Sequence, residues 1–178
     1  MPHLSWFANR PPYDATPFQY SLHTVAQPGD TAEHVAYLAP AEGDWRRALT
    51  EQLLAHLGDS GSIVVYSSYE KTRLKALAEL LPDLAGPLGH VVERLFDLER
   101  VFAQGYVHPD FGGRTSIKKV LPVMVPELTY DDLPVNNGDD AAGVFGLMRV
   151  GEYPTETHPA HRERLLAYCK LDTLAMLR

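Results

Sequence analysis

GSIVVYSSYE, residues 61–70, is the stretch that decides the fold class. The β-branched run at 62–66 shows no alternation of polar and apolar residues, which predicts a strand buried on both faces in the parallel part of a sheet. Ser67 and Ser68 then open a predicted helix whose apolar residues recur at helical spacing and which ends before Pro82. A buried strand that leads directly into an amphipathic helix indicates an α/β protein.

On the N-terminal side, the pattern predicts two strands and a helix. Residues 17–25 alternate between apolar and polar side chains, and that period of two indicates a strand with one buried face. Gln-Pro-Gly-Asp at 27–30 is typical of a turn, so Glu33–Leu38 is predicted to pair antiparallel with the first strand. Asp44 can cap a helix with a leucine-rich face that Gly58 closes.

On the C-terminal side, the pattern is helical. Helices are predicted at 87–98, from Thr115 or Ser116 through Leu121, and at about 139–149. The last helix starts near Pro159 and still runs at Arg178 without a Gly or Asn cap, so we expect the domain to continue. The whole order predicts one domain over residues 1–178, with a mixed sheet flanked by helices.

Composition sets broad limits on location and partners. With 178 residues, 45% hydrophobic and 22% charged, the chain is long enough for a sizeable core. It has no apolar run of about 18 residues and no signal-peptide pattern, and the lone Cys169 fits a reducing compartment, so we expect a cytoplasmic protein. A net charge of −7 disfavours non-specific nucleic-acid binding over the whole surface, but permits local basic patches.

The segment YCKLDTLAM, residues 168–176, is the strongest chemical signal. Residues four apart share one helical face, so the Tyr168 hydroxyl and the Asp172 carboxylate can point into one site. A carboxylate that binds a metal and a phenol that orients water are what a metal-dependent phosphodiesterase needs from such a helix. The alternative is a core tyrosine followed by a solvated aspartate.

Two further acidic residues are candidate ligands. Glu70 lies just after the predicted central strand, where open α/β sheets gather ligands. Its alternative role is a helix-N-terminal glutamate that interacts favourably with the helix dipole. Asp97 is a candidate for a further acidic ligand or for a helix cap.

Basic residues and histidines give weaker signals. Arg114, Ser116, Lys118 and Lys119 lie at a helix start after two glycines, where phosphates of a nucleic acid could bind; a solvated basic turn is the alternative. A second basic patch, at residues 71–75, is interpreted as ordinary surface. Histidines 158 and 161 have zinc-like spacing, but one cysteine and no matching cluster argue against zinc. No GxSxG, P-loop or GxGxxG motif is present.

Together these segments resemble an uncharacterised bacterial family that is catalogued only as a domain of unknown function and is related to DEDD 3′–5′ exonucleases of the tyrosine-containing type. The resemblance covers nearly the whole chain. It rests on motifs that occur in the family's order: PY at 12–13, PFQYSLH at 17–23, GSIVVY at 61–66 with YEK at 69–71, SIK at 116–118 with VLP at 120–122, and YCKLDTLAM at 168–176.

The resemblance implies a ribonuclease-H-like fold and hydrolysis of a nucleic-acid phosphodiester with two Mg²⁺ or Mn²⁺ ions. By position, Asp172 matches the acidic residue of the third exonuclease motif, and Tyr168 matches the tyrosine that orients the attacking water. Glu70 falls where the second motif usually has Asp, and Ser67 falls where such proteins often have Asn. The expected substrate is the single-stranded end of DNA or RNA.

One family motif has no counterpart in the sequence. An Asp-x-Glu pair on the central strand should precede the PFQ segment, but residues 1–16 contain only Asp14 as an acid. We therefore expect a domain truncated at its N-terminus, without its central strand and with impaired activity. A non-catalytic relative that binds nucleic acid or protein is the alternative, followed by an α/β hydrolase of small phosphoesters.

Overall fold

The computed structural model describes residues 15–178 and shows an α/β protein. The PY motif at 12–13, Asp14 and the expected loss of a strand near the N-terminus lie outside the described residues. Within the described part, four strands and seven α-helices follow one another, with short 3₁₀ turns between some of them. In chain order these are β1 Gln19–Thr24, β2 Glu33–Leu38, α1 Arg46–Leu57, β3 Ile63–Val65, α2 Tyr69–Leu80, α3 Ala85–Glu93, β4 Leu95–Asp97, α4 Glu99–Gln104, α5 Ile117–Met124, α6 Gly138–Arg149 and α7 His158–Leu177.

The N-terminal hairpin and the last helix form one half of the fold. β1 and β2 pair antiparallel with Gln19 opposite Leu38, which confirms both predicted strands and their orientation. Helix α7 packs on this hairpin. Arg162 of α7 donates to the carbonyl oxygens of Leu38 and Ala39 at 2.9 and 2.7 Å, so the end of β2 is bound to the helix.

The second sheet contains β3 and β4, which run parallel with Val65 opposite Asp97. The sequence missed β4, because residues 95–97 fall inside the predicted helix 87–98. That helix ends at Glu93 instead, and the chain turns back to pair with β3. The prediction that β3 is buried on both faces was also wrong: Val64 is 44% exposed, because no described element covers its face of the sheet.

The two sheets do not join. Among the described residues each sheet has two strands, and no ladder connects β1 with β3, so the predicted single mixed sheet is not found there. Alternation in the sequence specifies which face of a strand is apolar, but it does not specify which strand lies beside it. The predicted α/β class is confirmed, while the arrangement of the strands differs from the expectation.

A common core holds the two halves together. The ring of Phe145 on α6 is fully buried, stacks on Phe18 at 4.4 Å between centroids and meets Trp45 edge-on at 5.2 Å. The Trp45 indole N–H donates to the Pro17 carbonyl oxygen at 2.9 Å, which satisfies its buried polar group. No described helix is long and apolar enough to cross a membrane.

Candidate functional site

The carboxyl ends of β3 and β4 bring two polar segments together. Because the two strands are parallel and in register at Val65 and Asp97, Asp97 lies beside the turn that leads from β3 into α2. Its Oδ1 atom accepts hydrogen bonds from the backbone N–H groups of Ser67 and Glu99 at 2.9 and 3.1 Å. Asp97 therefore fixes the turn after β3 and also caps the start of α4.

Ser67 is held in an uncommon backbone conformation at this turn. Its φ is 75°, a left-handed value that Asn adopts more readily than Ser. The hydrogen bond to Asp97 compensates for part of that strain, which typically costs about 1–3 kcal/mol. Backbone strain of this kind often occurs at functional sites, where the surrounding structure fixes it.

Glu70 lies in the first turn of α2, behind this edge. Its Oε2 atom is buried and has no hydrogen-bond partner. Burial is the main cause that raises the pKa of Glu70 to about 7, and the negative charges of Asp172 and Asp97 raise it further, against a backbone hydrogen bond that lowers it. A buried carboxyl with an unsatisfied oxygen that faces two other carboxylates is a site suited to a cation.

Asp172 approaches from α7 on the opposite side. The Tyr130 hydroxyl donates to its Oδ1 atom at 2.7 Å, and the Tyr168 phenol lies close enough to act on its pKa. Burial raises the pKa of Asp172, while the two phenols and the nearby Lys118 act to lower it. Tyr168 and Asp172 share one helical face. Tyr168 belongs to the hydrophobic core, as the alternative expected, whereas Asp172 is partly buried and bonded to Tyr130 rather than fully solvated.

Two tyrosines enclose Asp172, and the sequence indicated only one of them. Tyr130 comes from the loop between α5 and α6, and its ring lies 6.3 Å from that of Tyr168. Burial, followed by the charge of Asp172, raises the pKa of both phenols well above the usual value, so both hydroxyls stay protonated as donors. No pattern in the sequence marked Tyr130, since loop residues carry no periodicity.

The predicted phosphate-binding residues divide into two groups. Lys118 on α5 lies with its Nζ 5.9 Å from the Tyr130 ring centroid and lowers the pKa of Asp172, so it faces the acidic cluster. Arg114, Ser116 and Lys119 are exposed around the start of α5, and Ser116 occupies the N-cap position without a side-chain capping bond. Only Lys118 of this set has an interaction with the cluster.

Cys169 lies next to the cluster but is unsuited to nucleophilic chemistry. Burial is the main cause that raises the pKa of its thiol to about 12, and the charges of Asp172 and Glu70 add to the effect. A thiol needs a nearby positive charge to become a reactive thiolate. Here its neighbours are negative, so Cys169 serves as a small apolar residue.

The fit of the cluster to a divalent cation is partial. Glu70 contributes a buried oxygen without a partner, and the effects of Asp172 and Asp97 on its pKa place all three carboxylates within electrostatic range. However, no group of three or more His, Cys, Asp or Glu side chains in residues 15–178 has the geometry to hold a metal ion. The described residues therefore do not provide for two ions, and a single ion there would need water for most of its ligands, as Mg²⁺ accepts.

The histidines of α7 have other roles. The His158 Nε2 atom lies 3.1 Å from the Tyr153 carbonyl oxygen, and the His161 ring stacks on Tyr153 at 4.0 Å. These contacts hold the start of α7 against the chain that precedes it.

Comparison with known families gives one match. A family described as a domain of unknown function (DUF2779) matches residues 1–116. The chain belongs to this family. The match includes Glu70 and Asp97 but ends before Lys118, Tyr130 and the Tyr168–Asp172 pair. No curated protein and no solved structure matches the chain.

Proposed function

We propose that this chain is a metal-dependent nucleic-acid-processing domain of the DEDD 3′–5′ exonuclease type, built on a ribonuclease-H-like fold. The observation that supports it best is the buried Oε2 atom of Glu70, which has no hydrogen-bond partner and lies within electrostatic range of Asp97 and Asp172. Partly buried carboxylates that repel one another favour a bound cation, and perturbed pKa values of this kind cluster at functional sites.

The architecture is compatible with this fold. The elements occur in the order that a mixed α/β sheet would need. They are an antiparallel hairpin, a parallel β3–β4 pair with helices in its crossover, and a terminal helix against the hairpin. In a ribonuclease-H-like fold the two small sheets would be parts of one larger sheet, although among the described residues they are separate. The acidic cluster then lies at its carboxyl edge, where α/β proteins bind ligands.

Glu70 and Asp172 are the proposed ligands of a Mg²⁺ or Mn²⁺ ion. When bound, such an ion polarises a phosphodiester oxygen and lowers the pKa of a bound water. Tyr130 orients the Asp172 carboxylate through its hydrogen bond. Asp97 keeps the turn beside Glu70 in place through its bond to Ser67.

Tyr168 has a separate proposed role. Its hydroxyl stays protonated beside Asp172, and the lone pairs of its oxygen can accept a hydrogen bond from water. A water held in this way keeps a lone pair of its own for attack on phosphorus. The Lys118 ammonium group can offset negative charge on the phosphate, because it already acts electrostatically on Asp172.

The experiment is degradation of a 5′-labelled single-stranded oligonucleotide with Mn²⁺, as DNA and as RNA. Asp172→Asn keeps the shape of the side chain and an oxygen that can accept from the Tyr130 hydroxyl, but removes its charge. We expect a ladder that shortens from the 3′ end with the wild-type chain and no ladder with Asp172→Asn. Tyr168→Phe should slow the reaction, since general positioning of a proton or water typically contributes about 10²–10⁴-fold.

Three outcomes would contradict the proposal. Equal ladders from wild type and Asp172→Asn would indicate a contaminating nuclease. Faster cleavage of a chromogenic phosphate monoester than of the oligonucleotide would indicate a small-molecule phosphoesterase. If the protein neither cleaves the oligonucleotide nor binds Mn²⁺ in calorimetry, a non-catalytic domain that binds nucleic acid or protein would be favoured. The described residues contain no metal-binding group of three ligands, which is compatible with that outcome.

A further inference from the structure

A groove of about 700 Å³ runs beside the carboxyl edge of β3 and β4. One wall is the start of α2, with Ser67, Ser68 and Lys71, and the other is α4, with Arg100 and Val101. The floor is β4, and Asp97 stands in the groove as well as in the acidic cluster. The groove and the candidate site are therefore continuous through this residue.

The groove combines cations with an exposed aromatic ring. Lys71 and Arg100 lie on opposite walls, both are exposed, and neither forms an ion pair within the described part of the chain. Between them, the Phe96 side chain on β4 is 52% exposed and Val101 is 43% exposed. Together the two side chains give the groove an exposed apolar surface, and contiguous surfaces of this kind mark ligand-binding grooves.

The hydroxyls in the groove wall are also available. Ser68 occupies the N-cap position of α2, but its side chain makes no capping hydrogen bond. The first backbone N–H groups of a helix favour an anion, so this end of α2 offers hydrogen-bond donors beside Lys71, next to the carboxylates of Glu70 and Asp97. The wall therefore offers both charge and hydrogen-bond donors to a phosphate.

We propose that this groove binds single-stranded nucleic acid, with a base stacked on Phe96 and the flanking phosphates on Lys71 and Arg100. Proteins that bind single strands combine an aromatic platform with a cationic groove in this way. The inference rests on the proposed function in one respect. It assumes that the bound strand leads past Asp97 to the acidic cluster. A net charge of −7 for the chain makes such a local site necessary for any polyanion to bind.

An acidic peptide is the competing ligand, because Lys71 and Arg100 would attract it too. Phe96 favours nucleic acid, since a base stacks on an aromatic ring and a glutamate side chain does not. The base-stacking surface and the charges can be tested separately by substitution.

The test is fluorescence anisotropy with a labelled oligothymidylate in EDTA, so that no cleavage occurs, over a range of salt concentrations. We expect Phe96→Ala to weaken binding by about fivefold to a hundredfold without changing the salt dependence. Lys71→Ala and Arg100→Ala should each reduce the slope of log K against log salt by about 0.7. Lys75→Ala, one turn further along α2 and outside the groove, is the matched control and should bind like wild type.

A second measurement needs no variant. An oligonucleotide with a photoreactive iodouracil should cross-link to the wild-type protein at Phe96, and peptide mass spectrometry identifies the position. Three results would each overturn the proposal. These are cross-links confined to peptides that lack Phe96, competition by polyglutamate as strong as that by the oligonucleotide, and groove variants that bind like Lys75→Ala.

The two proposals can fail independently. If the protein cleaves in Mn²⁺ and the groove substitutions do not change the rate, the groove-binding proposal would be refuted and the proposed function supported. Binding in EDTA that the groove substitutions weaken, without any cleavage in Mn²⁺, would refute the nuclease and support the groove.

Discussion

Replacing Glu70 with Gln should stabilise the protein at neutral and alkaline pH. Burial and two neighbouring carboxylates raise the pKa of Glu70 from 4.5 to about 7 in the folded chain. Between these two values the unfolded chain has lost the proton while the folded chain still binds it, so unfolding releases a proton and stability falls as the pH rises. Below 4.5 both states are protonated, and the penalty is absent.

The size of the effect follows from the two pKa values. A rise from 4.5 to about 7 corresponds to roughly 3 kcal/mol at a pH above both. Gln keeps the size of the side chain and stays neutral at every pH, so it avoids this penalty. Part of the rise comes from Asp172 and Asp97, so the substitution also relieves repulsion on those carboxylates.

The assay is urea unfolding in EDTA, followed by tryptophan fluorescence, because Trp45 is almost fully buried. The two proteins should have similar unfolding free energies near pH 4.5 and should differ by up to about 3 kcal/mol near pH 8, with Glu70→Gln the more stable. Glu79→Gln is the control, since Glu79 is an exposed carboxylate on the same helix. A difference between wild type and Glu70→Gln that is constant with pH would refute the reasoning.

The remaining predictions concern other parts of the molecule. Tyr130→Phe should lower the unfolding free energy by about 1–3 kcal/mol in urea titrations, because the partly buried Asp172 carboxylate loses its 2.7 Å donor, while Tyr106→Phe should have little effect. His23 and His34 have pKa values lowered, chiefly by burial, from 6.5, so stability should decline as the pH falls below that value; a double His→Gln variant that kept the decline would contradict this. Phe145→Ala should cost about 3–5 kcal/mol, and a loss below about 1 kcal/mol in the same titration would show that the core collapses around the gap.

The sequence by itself determined the local elements. The period-two alternation of residues 17–25 and the turn at 27–30 specified the β1–β2 hairpin and its antiparallel pairing. Helical spacing likewise identified α7 and, within it, the shared face of Tyr168 and Asp172. These features depend on residues that are close in the chain, so a linear pattern contains them.

Tertiary structure decided the pairing of β3 with β4 and the assembly of the site. The segment 95–97 has no strand signal of its own and becomes a strand because its backbone pairs with Ile63–Val65, far away in the sequence. Tyr130 reaches Asp172 from a loop, and Asp97 reaches Ser67 across the sheet edge. Phe96 and Val64 are exposed for the same reason: the sequence gives them apolar character, but only the packing of distant elements decides whether anything covers them.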